Sequence, residues 1–113
     1  MSPSSHVVLS LLLSWLVGGS AFARPEPLLS ARPTILEANR HLIADSWRPA
    51  PEKRPTPEER CWASVALESL SACSGTGVGF CRFGYRRDLQ RLSVVTVPSE
   101  PGRPSVGRVE RWW

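Results

Sequence analysis

The sequence predicts a small, mostly α-helical and partly disordered chain, on three observations. Two capping signals, Thr34 with Glu37 and Thr56 with Glu59, each precede apolar residues at helical spacing. Proline recurs eleven times in 113 residues and interrupts what lies between and after them. The last sixteen positions, "PSEPGRPSVGRVERWW", carry three prolines and two glycines and no periodicity, which reads as a disordered tail over residues 98–113.

The first segment sets the compartment. "VVLSLLLSWLV", residues 7–17, is an apolar run too short to span a bilayer as a helix: about 16 Å against a ~30 Å hydrocarbon core. Its length suits the apolar region of a signal peptide, and Ala21-Phe22-Ala23 supplies the small residues that signal peptidase accepts. Residues 1–23 are therefore expected to leave by cleavage between Ala23 and Arg24, giving a secreted, extracellular chain. The alternative is a signal anchor that retains residues 7–23, and only then does the chain contact a membrane by insertion. All the charged side chains follow the cut, so the net charge of +4 is kept. That charge is mild and scattered. It gives no support to nucleic-acid binding and allows only unspecific adhesion to acidic glycans or membrane surfaces.

Residues 24–56 read as a proline-rich segment around one short helix. "RPEPLLSARP" is extended, and the Thr34 box then starts a helix over 34–47, with Ile35, Leu36, Leu42, Ile43 and Trp47 near helical spacing. Pro49 disfavours helical geometry at Arg48 and ends it. "RPAPEKRPTP", residues 48–57, holds four prolines in ten and reads as a stiff linker.

Residues 57–97 contain a second helix and the cysteines. Pro57 suits the first helical position, and Trp62, Val65, Ala66, Leu70 and Cys73 share one face of a helix over 57–73. Trp62, Val65 and Leu70 are the candidate partner-binding residues, since an amphipathic helix laid in a groove is a common recognition mode. Gly75, Gly77 and Gly79 end the helix. "LQRLSVVTV", residues 89–97, has the β-branched content of a short strand but no evident partner. Two short helices bury little surface, so no deep core is expected.

Three cysteines in a secreted chain imply one bridge and one spare thiol. On a 57–73 helix, Cys61 and Cys73 would stand about 18 Å apart, too far to join. Cys73–Cys81 closes the shorter loop across the glycines and is favoured over Cys61–Cys81. Cys61 would then be available for a disulfide-linked dimer.

No enzyme chemistry is visible. Beyond residue 23 the one histidine is His41, with no cysteine pair at zinc-ligand spacing and no phosphate-binding lysine after "GTGVG". No cofactor or metal is expected. Arg86-Arg87 is a candidate processing site for release of a peptide, whereas Lys53-Arg54 is blocked by Pro55. Together these features predict a small secreted, non-enzymatic protein or peptide precursor that binds an extracellular protein or receptor. The competing expectation is a poorly folded or alternatively spliced secretory product without a defined activity.

Overall fold

The computed structural model of the protein describes residues 24–74 and 80–113. The expected signal segment, including Ala23, and the three glycines at 75, 77 and 79 lie outside the described residues. In chain order the elements are α1 (Glu26–Ser30), α2 (Ile35–Ala44), β1 (Arg48–Pro49), α3 (Pro57–Ala63), β2 (Leu70–Cys73), β3 (Cys81–Arg87), β4 (Gln90–Pro98) and β5 (Gly107–Trp112).

The mostly α, partly disordered architecture is not what forms. The described residues build a five-stranded antiparallel sheet with a few short helices. Both capping boxes are present. The Thr34 hydroxyl accepts the Glu37 N–H at 3.2 Å while the Glu37 carboxylate accepts the Thr34 N–H at 3.0 Å. Thr56 and Glu59 repeat the exchange at 3.1 and 2.8 Å. What the boxes do not fix is helix length. The first helix ends at Ala44, ahead of the expected 47, because Ser46 takes a left-handed backbone (φ 72°) that turns the chain. The second ends at Ala63 instead of 73, because Ser64 is left-handed too (φ 58°). Segment 24–33, expected extended, contains α1.

Strand pairing explains the other corrections. The 89–97 stretch has partners on both sides: β4 pairs with β3 from Arg87↔Gln90 to Cys81↔Thr96, and with β5 from Val94↔Trp112 to Pro98↔Gly107. The tail is therefore not disordered throughout but carries β5, with Val109 fully buried. Residues 70–73, expected helical, pair with β3 as β2. The stiff linker contains β1, which pairs Arg48 with Arg86 and Pro49 with Tyr85.

β1 and β2 share one edge of β3, and Gly84 is where one hands over to the other. Its carbonyl accepts the Ala50 N–H at 2.9 Å, and its N–H donates to the Ser69 carbonyl at 2.8 Å. On the opposite margin Val109 N–H donates to the Pro33 carbonyl at 2.9 Å, and Thr34 bridges to Arg108. Glu59 is buried beneath the start of the sheet, where its second carboxylate oxygen accepts the Cys73 N–H at 2.8 Å. The Thr56 and Cys73 amides hold this carboxyl below the ordinary glutamate range.

The sheet also supplies the core that helices alone could not. Phe83 and Tyr85 of β3, Leu92 and Val94 of β4, and Val109 of β5 bury one sheet face against Leu29, Ile35, Ala38 and Leu42. Period-2 alternation puts these strand residues on one side.

Cys73 and Cys81 are directly opposite across β2 and β3, with Cα atoms 4.0 Å apart, and form the disulfide. The bond thus joins two strands, where the sequence suggested a helix end and a loop. Cys61 is free and exposed on α3. Replacing both bonded cysteines by serine is expected to cost about 2.5 kcal/mol through the loop entropy restored to the unfolded chain. Thermal unfolding followed by circular dichroism should show a midpoint lower by roughly 10–20 °C. An unchanged midpoint would mean that β2 keeps its register without the bond.

Candidate functional site

Tryptophan and arginine gather at the end of the sheet where β3 turns into β4. Asp88 and Leu89 form a two-residue turn, with Asp88 left-handed at φ 52°. The Asp45-Ser46 turn directs Trp47 out of α2 and into the core, where it is 3% exposed. Above its ring lies the Arg87 guanidinium, 4.5 Å from the centroid.

Arg87 follows Cys81, Phe83 and Tyr85 on the inward side of β3, an unusual position for a cation. Its burial is compensated: Nη1 donates to the Asp45 carboxylate at 3.1 Å and to the Asp45 carbonyl at 3.2 Å, and Nη2 donates to Gln90 at 3.3 Å. Neighbouring β5 brings Trp112 partly into the core. Trp113 is 59% exposed and exchanges two backbone hydrogen bonds with Ser93, at 3.0 and 2.8 Å.

A cleft of about 600 Å³ opens among these groups. Its walls are Trp47, Trp112 and Trp113, with Arg24, Arg87 and Arg91 as cations and Glu26 as the one acidic contributor. The Trp47 indole N–H is buried and has no acceptor among the described residues. A wall of tryptophans and arginine forks suits a planar apolar body carrying an anionic oxygen group.

A second groove, of about 650 Å³, runs beside α3 and includes Cys61, Val65, Leu67 and Leu70. The expected partner-binding residues meet there only in part. Val65 is half-buried in its wall, whereas Leu70 is 1% exposed and belongs to the core. Trp62 is half-buried on α3, and the three share no helical face because the helix has ended before Val65. Of the processing residues, Arg24 lines the cleft. Arg86 and Arg87 lie within hydrogen-bonded β3, one exposed and one buried, and not in a flexible stretch.

His41 is exposed in the last turn of α2. Among the described residues no group of three or more His, Cys, Asp or Glu is placed to hold a metal ion. None of their helices is long and apolar enough to cross a membrane.

The Arg–Trp cleft is not legible in the sequence, where Trp47 fits a helix face and Trp112-Trp113 a structureless end, and nothing local brings them together. The available signal was the alternation in "CRFGYRR", where Cys81, Phe83 and Tyr85 announce a strand and place Arg87 on its inner side. Fold and site together define a small antiparallel sheet domain with a cationic, tryptophan-walled cleft. Compared with protein-family models, with curated proteins and with solved structures, the chain matches none of them.

Proposed function

We propose that this chain is a small secreted, non-enzymatic binding protein that engages an extracellular partner through the Arg–Trp cleft. The observation that carries this reading is the cleft wall, which sets Trp47, Trp112 and Trp113 beside Arg24 and Arg91. The partner group that fits is a carboxylate, sulfate or phosphate beside an aromatic or flat apolar surface. The dibasic pair sits inside β3, and this favours an intact binding domain over release of a peptide.

Expression in a secretory host tests the first half. The medium should contain a chain that begins at Arg24 with Cys73 and Cys81 joined, and finding only intracellular chain that begins at Met1 would remove the secreted reading. The second half is tested with 8-anilinonaphthalene-1-sulfonate, an anionic aromatic probe, titrated against the tryptophan fluorescence. Arg91→Glu should weaken its binding about ten-fold, the loss expected when a charge-assisted contact becomes a repulsion. Undiminished binding would place the probe, and the function, elsewhere.

A further inference from the structure

Three arginines stand in one row across the sheet. β1 pairs Arg48 with Arg86, and β3 pairs Arg86 with Arg91. Directly opposite residues project to the same face. Here it is the face away from the core, because Cys81, Phe83, Tyr85 and Arg87 alternate to the other side. All three are exposed. With strands ~4.8 Å apart the row extends over about 10 Å.

Like charges set directly opposite repel and weaken a sheet. Among the described residues the ion pairs involve other cations, and Arg86 donates from Nε to a backbone carbonyl, that of Asp88, at 3.1 Å. Glu52, which reaches over the outer face to Ser93, pairs with Arg82 at 3.4 Å. Arg111, exposed opposite Val95 on β5, extends the same surface, and its guanidinium lies 5.8 Å from the Trp113 ring centroid.

We propose that the Arg48–Arg86–Arg91 row is a docking site for a sulfated polysaccharide. The row is linear and its three side chains are exposed, so a chain of regularly spaced sulfates can cross the strands along it. Guanidinium groups suit this partner because their planar fork meets two oxygens of one anion at once. Thirteen of the fourteen cations in the chain are arginine. A bilayer would need a cluster of insertable apolar groups, whereas Leu89 and Trp113 are the exposed large apolar residues near the row and stand singly. A single-stranded nucleic acid would need a series of stacking aromatics, and this face offers Trp113 alone.

The site relies on the secreted reading for access to such glycans, and it shares Arg91 with the cleft. Its test therefore leaves Arg91 untouched. The secreted full chain is loaded on immobilised heparin and eluted with salt, beside Arg48→Gln/Arg86→Gln and a control of equal charge, Arg40→Gln/Arg54→Gln. The row variant should elute far earlier, with the slope of log affinity against log salt reduced by about 1.4, near 0.7 per lost contact. Its thermal midpoint should hold or rise, since a repulsion has been removed. The control should elute close to the parent chain.

Equal loss in both variants would reduce the effect to net charge and overturn the proposal. So would retention on desulfated heparin equal to that on heparin. Stronger binding to phosphatidylserine vesicles, abolished by Leu89→Ser, would overturn it in favour of a lipid surface. A chain that is never secreted but still shows the row-specific heparin loss would defeat the secreted reading and leave the site standing.

Discussion

Gly84→Ala is expected to lower stability by about 1–3 kcal/mol, a large fraction of what holds a small domain folded. The reason is space and not backbone angle. A methyl group on Gly84 would overlap the Ala50 carbonyl oxygen, with the carbonyl carbon at 3.2 Å and the Pro51 Cα at 3.4 Å. These are backbone atoms, so no rotamer change relieves the clash. Either Ala50 moves and surrenders its bond to Gly84, or β3 moves and surrenders β2. Gly102→Ala is the contrasting case: its φ of +84° disfavours alanine, but nothing stands within 4 Å of the new carbon. That variant should lose only about 1 kcal/mol. Urea unfolding of the two variants decides the matter, and equal losses would contradict the steric account.

Raising the pH above 10 should destabilise the fold through Tyr85. The ring is 1% exposed, its hydroxyl donates to Asn39 Oδ1 at 2.8 Å and it accepts from the Ser69 hydroxyl at 3.0 Å. Burial pushes its pKa up to about 12, against a smaller opposing pull from the Ser69 bond. The folded protein thus holds the phenolic proton more tightly than the unfolded chain, whose tyrosine titrates near ~10. The contribution is whole below that value and is lost as pH rises through the folded pKa, up to about 3 kcal/mol. Tyr85→Phe should abolish this step. It should also cost about 1–3 kcal/mol at neutral pH by leaving the fully buried Ser69 hydroxyl without its acceptor. Unfolding free energies between pH 8 and 12 for both proteins provide the check. A parallel decline in the two would assign the alkaline loss to other groups.

The sequence disclosed the starts of local structure better than their ends. Both capping boxes were legible because each is a four-residue rule with its donors and acceptors inside it. The ends of α2 and α3 were not, since Ser46 and Ser64 adopt left-handed geometry that nothing in the local sequence requires. Leu70 illustrates the larger failure. Its spacing from Trp62 and Ala66 fits a helix, but its neighbour in space is Phe83, which a strand position alone can reach. Periods of 3.6 and 2 are hard to separate over so short an apolar run. Strand pairing is the other hidden quantity. The tail looked structureless because Val109 and Trp112 have meaning only beside β4 and the Thr34 segment. The cleft was invisible for the same reason, because its tryptophans come from residues 47 and 112–113 and meet only through the sheet.

Two short strands tile one edge of β3 where a single long one would ordinarily lie. β1 is two residues long and includes Pro49, which has no amide hydrogen to offer, and β2 is four residues long with an irregular register between Leu70 and Ala72. On the far side, Pro33 and Thr34 occupy part of the margin of β5. Neither border offers a second copy a long, straight ladder to extend, and such ladders are how sheet proteins polymerise.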